Sequence, residues 1–138
     1  MSDGQVKLSE LVDVGNEATL AAFFAVMESK YPSDTAWTTT TSLSNGWTGT
    51  IRYIKWAGWV IVTFVSVDGS GQTDTTMLTL PSTHRPDIRQ WGTLDDVSPT
   101  PDKAVAVYVE PNGEVNASGS TDSSGTNIVG SIRFPVIA

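Results

Sequence analysis

The chain has 138 residues, of which 39 % are apolar, and its 15 acidic residues against 8 basic ones give a formal net charge of −7. This excess of acid argues against a nucleic-acid partner, because proteins bind phosphate backbones largely through clustered Lys and Arg. The lack of cysteine excludes disulfides, thiolate zinc sites and cysteine nucleophiles, and no apolar run approaches the ~20 residues of a membrane span.

The first quarter of the chain has the spacing of a helix. Apolar residues recur at steps of three and four, which predicts a helix over 17–30 with Asn16 as its N-cap and Pro32 beyond its end. Two arrangements remain open: the helix packs on its own sheet, or it joins a short helix bundle. The seam of such a bundle would follow a 4-3-4 rhythm through Leu20, Phe24, Met27 and Tyr31.

The most apolar stretch of the chain covers residues 49–67. Two runs rich in β-branched and aromatic residues flank Ala57-Gly58, which predicts a β-hairpin with a tight turn. The second run, 59–67, is apolar at almost every position. We therefore expect it to be covered on both faces, in the middle of the fold or at a subunit contact.

The rest of the chain reads as further short strands separated by turns and polar loops. Asn45-Gly46 and Pro111-Asn112-Gly113 are strong turn signals. The pattern predicts an all-β fold, an antiparallel β-sandwich or jelly roll behind a short N-terminal α-helix. The helical segment would be 1–36 and the β domain 37–138. The further strands are expected at 37–43, 75–80, 87–93, 104–109, 114–117 and 128–137, and the polar loops at 68–74, 95–102 and 119–126.

Side chains for catalysis are sparse in this sequence. The single histidine, His84, lies close to Ser82 and Asp87, but such near neighbours on a loop seldom adopt the geometry of a serine triad. No catalytic residue, cofactor or metal ligand is predicted. The acidic loops carry the oxygen ligands that calcium prefers, without the spacing of a known calcium loop.

Two pairs of carboxylates are the remaining candidates for glycoside hydrolysis. Asp95 with Asp96 could act as acid and base, as could Glu110 with Glu114. Asp95 and Asp96 are equally typical of a solvated acidic loop. Glu110 and Glu114 are equally typical of charges that keep a hairpin turn exposed to water.

Residues 78–86, Leu-Thr-Leu-Pro-Ser-Thr-His-Arg-Pro, carry the most specific signal. A strand ending in Thr-Leu-Pro, followed by a short loop closed by Arg-Pro, resembles a motif common in the receptor-binding and tail-tip proteins of bacteriophages. The order of the other parts is similar too: an aromatic strand with a Gly break at 53–62, a strand–turn–strand at 105–115 and an apolar last strand. This chain departs from the motif at Thr83-His84, where the family usually has Gly-Tyr.

The resemblance implies a non-catalytic head domain, usually a homotrimer behind a helical neck, that binds polysaccharide or teichoic acid of the host cell wall. Such a protein would be made in the host cytoplasm, sit at the tail tip of the virion and contact other tail or baseplate proteins. The helical seam named above would then be the trimer interface. The alternatives are a purely structural tail or baseplate component, and a glycan-cleaving enzyme on a β-sandwich.

The predicted ligand-binding side chains lie at the ends of elements, where they could reach water. Aromatic faces stack on sugars, and carboxylates and Arg bond the hydroxyl groups. Arg85 could instead be structural, capping carbonyls where Pro86 turns the chain. Trp56 and Trp59 flank the hairpin turn; they could be exposed at its tip, but a core or cross-strand role is expected. The predicted ligand-binding residues are Trp47, His84, Arg85, Asp87 and Trp91.

Overall fold

The computed structural model describes residues 17–30, 32–69, 75–97, 103–118 and 127–136. Within these ranges the chain forms one α-helix, eight strands and a 3-10 turn at Ser82–His84. In chain order the elements are α1 Glu17–Lys30, β1 Thr38–Thr40, β2 Thr48–Trp56, β3 Trp59–Asp68, β4 Thr76–Thr79, β5 Gln90–Asp96, β6 Lys103–Val109, β7 Glu114–Ala117 and β8 Ile128–Pro135. None of these described residues belongs to a helix that is long and apolar enough to cross a membrane.

The strands join edge to edge into a single antiparallel sheet in the order β1-β2-β3-β8-β5-β6-β7-β4. The sheet curls into a half-barrel, because the inward side chains of its strands share one apolar core. Its two edges also meet: Ser44, in the loop after β1, donates its N–H to the carbonyl of Met77 on β4 at 2.7 Å. The predicted antiparallel β fold behind an N-terminal helix is thus confirmed, with the two layers formed by one curled sheet.

The β2–β3 hairpin forms at the predicted place. Ala57 and Gly58 have φ angles of 49° and 83°, and two successive positive φ angles are what a tight hairpin turn requires. Val60, Val62 and Phe64 point into the core. β3 lies inside the sheet, as expected, but Trp59 and Val65 on its other face are exposed, so the single chain covers β3 on one side only.

A β-bulge at the far end of this hairpin depends on a glycine. The register of β2 against β3 shifts between Thr48 and Thr50, and Gly49 there has a φ of 115°. Any β-carbon at this position would collide with the carbonyl oxygen of Ser66. The bulge increases the local twist and so helps the sheet to curl.

The structure corrects the predicted bounds of the fifth strand. β5 covers Gln90–Asp96, three residues later than predicted, because the 3-10 turn and a following bend occupy 82–88. Asp95 and Asp96, assigned to a surface loop, are strand residues. Asp96 is fully buried and is tolerated there because its Oδ1 accepts the N–H of Asn127 at 3.1 Å.

A second difference concerns the strand predicted at 75–80, in which a regular strand would alternate inward and outward side chains. Met77 and Leu78 are both buried, since the register of β4 against β7 shifts between Thr76 and Leu78. A bulge of this kind lets two successive side chains face the core. The predicted N-cap Asn16, most of the loop 68–74 and the loop 119–126 lie outside the described residues.

Candidate functional site

The loop that carries the predicted ligand residues is tied to the segment between α1 and β1. Asp34 Oδ2 accepts hydrogen bonds from His84 Nε2 at 2.7 Å and from the backbone N–H of Lys55 at 2.8 Å. The other ring nitrogen of His84, Nδ1, lies 2.8 Å from Thr83 Oγ1. Because an ionised carboxylate only accepts, Nε2 carries the proton, and in the neutral ring Nδ1 accepts from the threonine hydroxyl.

His84 therefore joins two distant parts of the chain. Its hydrogen-bond partners are Asp34 and Thr83 rather than the Ser82 and Asp87 considered for a triad, and its buried ring packs edge-on against Tyr53 with centroids 5.5 Å apart. The sequence Thr83-His84 suits this loop, since Ser82–His84 form a right-handed 3-10 turn that any L-residue can adopt.

The same contacts govern the ionisation of Asp34. Its partial burial acts to raise the pKa of the carboxyl. The hydrogen bonds from His84 and from the Lys55 backbone, together with the charges of the His84 and Lys55 side chains, outweigh this effect and hold the pKa below its ordinary value of 3.8. A lowered pKa in the folded state means that Asp34 stabilises the fold above the pKa of the unfolded chain and that this stabilisation is lost as the pH falls through the folded value.

Asp34→Asn should therefore destabilise the protein at neutral pH and progressively less in acid. We expect the difference in unfolding free energy between wild type and variant to be constant well above the ordinary aspartate pKa of 3.8 and to shrink as the pH falls below it. Urea denaturation at a series of pH values measures it. His84→Ala, which removes a hydrogen bond that lowers the pKa, should flatten the dependence; a difference that stays constant with pH would contradict this role of Asp34.

Arg85 and Asp87 line a cleft of about 510 Å³ beside this network. Lys55, a buried lysine of β2 that also lines it, donates from Nζ to the carbonyl of Thr83 at 2.9 Å. Arg85 Nε donates to the carbonyl of Leu80 at 2.9 Å, which is the structural role left open from the sequence. Sequence reasoning missed Lys55; the available signal was its position two residues after Tyr53 and four after Ile51, on the inward face of β2.

Trp47 occupies the core. Its ring is 5 % exposed and packs so closely on Gly69 that a β-carbon there would collide with it. The loop before it is held to β4 by the Ser44–Met77 hydrogen bond, which turns the ring inward. A sugar could reach Trp47 only if the core opened, so Trp47 has no part in the binding surface proposed below.

Trp91 is 58 % exposed on the outer face of β5. It lies opposite Tyr108 on β6, with ring centroids 4.7 Å apart. The guanidinium of Arg89 lies over both rings, 4.6 Å from the centroid of Tyr108 and 5.6 Å from that of Trp91, and forms an ion pair with Glu110. We call these four residues the Trp91 platform: an exposed aromatic surface with a cation and a carboxylate at its rim.

The sequence could identify Trp91 but not the platform around it. Tyr108 lies on β6 and Glu110 directly follows that strand, and their approach to Trp91 depends on a register that only the folded sheet fixes. The predicted ligand residues are therefore separated: Arg85 and Asp87 line the cleft, Trp91 lies on the platform and Trp47 lies in the core.

Trp56 and Trp59 form a second exposed aromatic pair. They are direct partners across the β2–β3 hairpin, as the cross-strand prediction required, and are 65 % and 49 % exposed. With Ile61 and Arg133 they line a groove of about 470 Å³. Their exposure is the alternative that the sequence left open beside a core or cross-strand role, and neither ring belongs to the core.

The carboxylate pairs considered for hydrolysis are poorly placed. Asp95 is exposed and Asp96 is buried, since successive strand residues point to opposite faces of a sheet. Glu110 is engaged by Arg89. In the described residues, no three His, Asp or Glu side chains come together as a metal site.

Helix α1 leaves much of its apolar surface open. Residues 20–27 are all apolar, so two turns of the helix have no polar side. Leu20 and Phe24 are exposed, Phe24 by 60 %. The side chain of Met27 and all of Tyr31, the other two members of the predicted seam, lie outside the described residues.

The fold resembles that of one solved protein. The crystal structure of the receptor binding protein (gp15) of Listeria phage PSA superposes with a TM-score of 0.53 at 16 % sequence identity, and the match covers 96 % of this chain and 81 % of that chain. No protein-family model matches the sequence, and a comparison with curated proteins finds no similar one. At this identity the likeness establishes the fold.

Proposed function

We propose that this chain is the host-adhesion domain of a phage tail, which binds saccharides of the bacterial surface without cleaving them. The observation that carries the proposal is the fold shared with a phage receptor binding protein over nearly the whole chain. The Thr-Leu-Pro…Arg-Pro motif of residues 79–86 supports it independently. The Trp91 platform supplies the chemistry, since its exposed rings can stack on a sugar while Arg89 and Glu110 bond hydroxyl groups.

The proposed assembly is a homotrimer, with 1–36 as a helical neck and 37–138 as the head. A helix with two turns that are apolar on every side is stable in water only when that surface is covered, and other copies of the same helix would cover Leu20, Phe24, Met27 and Tyr31. Three weak sites on one trimer would raise avidity without new contacts. We place the protein at the tail tip, beside other tail or baseplate proteins.

The test is binding of the full chain to cell walls extracted from a panel of bacteria, Listeria included. Retention on at least one wall, competed by soluble polysaccharide from that wall, supports adhesion. A purely structural tail component would bind none of them. Release of reducing sugar during incubation would favour the glycan-cleaving alternative.

Trp91→Ala should lower affinity for the wall polysaccharide about tenfold, a typical loss for an exposed aromatic residue in a binding site. Thermal stability should hardly change, because the side chain is mostly exposed. Trp37→Ala is the matched control, since Trp37 is also exposed but lies outside the platform. Calorimetric titration and thermal melting measure the two effects; a large loss of melting temperature with unchanged affinity would make Trp91 a structural residue.

A further inference from the structure

The outer face of the curled sheet carries both exposed aromatic pairs. Trp59 of β3 lies opposite Pro135 of β8, and Ile61, two residues along β3, lies opposite Arg133. Arg133 therefore stands at the edge of the groove that Trp56 and Trp59 form, on the strand between β3 and β5.

The register of β8 against β5 connects this groove to the Trp91 platform. The last two residues of β5 pair with the first two of β8, and the same antiparallel register, extended along both strands, would place Trp91 next to Arg133. The strands stay adjacent there, because a β-carbon at Gly92 would collide with the side chain of Ile132. Arg133 thus has Ile61 on one side and Trp91 on the other.

We propose that these residues form one continuous binding band for an anionic oligosaccharide, which lies across the strands. This inference rests on the proposed function and assigns its ligand to a surface that includes the hairpin groove and excludes the cleft of Arg85. The band consists of Trp56, Trp59, Ile61, Arg133, Trp91 and Tyr108.

The dimensions of the band favour a chain of sugars over a single sugar. Adjacent strands are about 4.8 Å apart, so Trp59 on β3 and Trp91 on β5 are separated by about 10 Å across the sheet. A single pyranose ring stacked on one indole cannot reach the other, whereas linked rings can. Exposed indoles on two strands then act as separate stacking positions for successive sugar units.

The charge of the band indicates an anionic ligand. At the outward positions of 50–56, 59–65 and 131–135 the charged residues are Arg52 and Arg133, although the whole chain carries a net charge of −7. An arginine among aromatic rings binds a carboxylate or phosphate group through two parallel hydrogen bonds. In the band this role falls to Arg133.

A second copy of the chain is the other possible occupant of this face. On the outer face of the sheet Asp95 lies at the far end of β5 and Glu110 is paired with Arg89. A symmetric pairing would therefore bring Arg133 mainly against outward positions of β2, β3 and β8, which hold no carboxylate. Burying a guanidinium without an acceptor is costly. The charge pattern therefore favours the saccharide, and the test below separates the two occupants.

The experiment titrates the full chain with wall polysaccharide from a bacterium that the wild type binds, at low and at high salt. We expect Trp59→Ala and Arg133→Gln each to weaken binding about tenfold, Arg133→Gln to flatten the salt dependence, and Trp37→Ala to change little. Oligosaccharide fragments of increasing length should gain affinity up to the length that spans both indoles. Thermal melting verifies that each variant is folded.

Three outcomes overturn the inference. If Trp91→Ala weakens binding while Trp59→Ala and Arg133→Gln do not, the ligand is confined to the Trp91 platform and the adhesion function still stands. If Trp59→Ala reduces the oligomer in sedimentation without changing affinity per chain, a second copy covers this face. If the wild type binds no wall at all, the adhesion function fails together with the band.

Discussion

Replacing Phe24 with aspartate is expected to convert the proposed trimer into monomers that keep their β structure. Phe24 is 60 % exposed in the single chain, so a charge there costs the isolated domain little. In a trimeric neck the same charge would be buried against two other helices without a partner, which is strongly unfavourable. Light scattering and circular dichroism should show monomers with an unchanged β signal, and adhesion to whole cells should fall by about 10²–10⁴ as avidity is lost.

Leu20→Asp should have the same effect, since Leu20 lies one turn earlier on the same proposed seam. Ser29→Asp is the control, because Ser29 is an exposed polar position of the same helix. A wild-type chain that runs as a 14.7 kDa monomer at micromolar concentration would refute the neck. Loss of all β signal in the variants would instead make the helix part of the domain core.

Phe64→Ala should cause the largest loss of stability of any substitution considered for the sheet. Phe64 is 1 % exposed and lies on β3 between Ile51 of β2 and Gly130 of β8. Truncating a buried phenylalanine costs about 3–5 kcal/mol, through lost burial and the cavity left behind, against a total stability of about 5–15 kcal/mol for a domain.

Val65, the next residue along β3, provides the control for the loss of stability in Phe64→Ala. Val65 is 46 % exposed on the opposite face of the same strand, so Val65→Ala should cost about 0.5 kcal/mol. Urea denaturation compares the two variants. Equal losses would mean that the outer face of β3 is as well covered as the inner one, for example by another subunit, and would disagree with the open binding band.

Local signals explain which parts of the fold were predictable. The bounds of α1 and the turn at Ala57-Gly58 follow from helical periodicity and from a turn that glycine favours, both read within a few residues. The order of the strands in one curled sheet depends on pairings between residues far apart in the chain. Those pairings leave no signal in the local sequence, and the strands of a sandwich and of a half-barrel share the same alternation of apolar and polar residues.

The tryptophans show how far the binding site could be predicted from the sequence. Trp47 was expected to be accessible because it follows an Asn-Gly turn, yet that turn is closed over the core by a hydrogen bond to β4. For Trp56 the sequence left a core place, a cross-strand pair and exposure at the hairpin tip all open, and the residue is both paired with Trp59 and exposed on the outer face. In each case exposure depends on which face of the curled sheet the residue reaches, and the sequence does not encode that locally.

The anchoring of the segment before β1 has a mechanical consequence. Ser33 Oγ accepts the N–H of Ala57, and Asp34 exchanges backbone and side-chain hydrogen bonds with Lys55. A pulling force applied through α1 is therefore transmitted to the β2–β3 hairpin within a few residues and is shared by several hydrogen bonds. In the proposed adhesion role, a force applied through the helix would load these hydrogen bonds before those that pair β1 with β2.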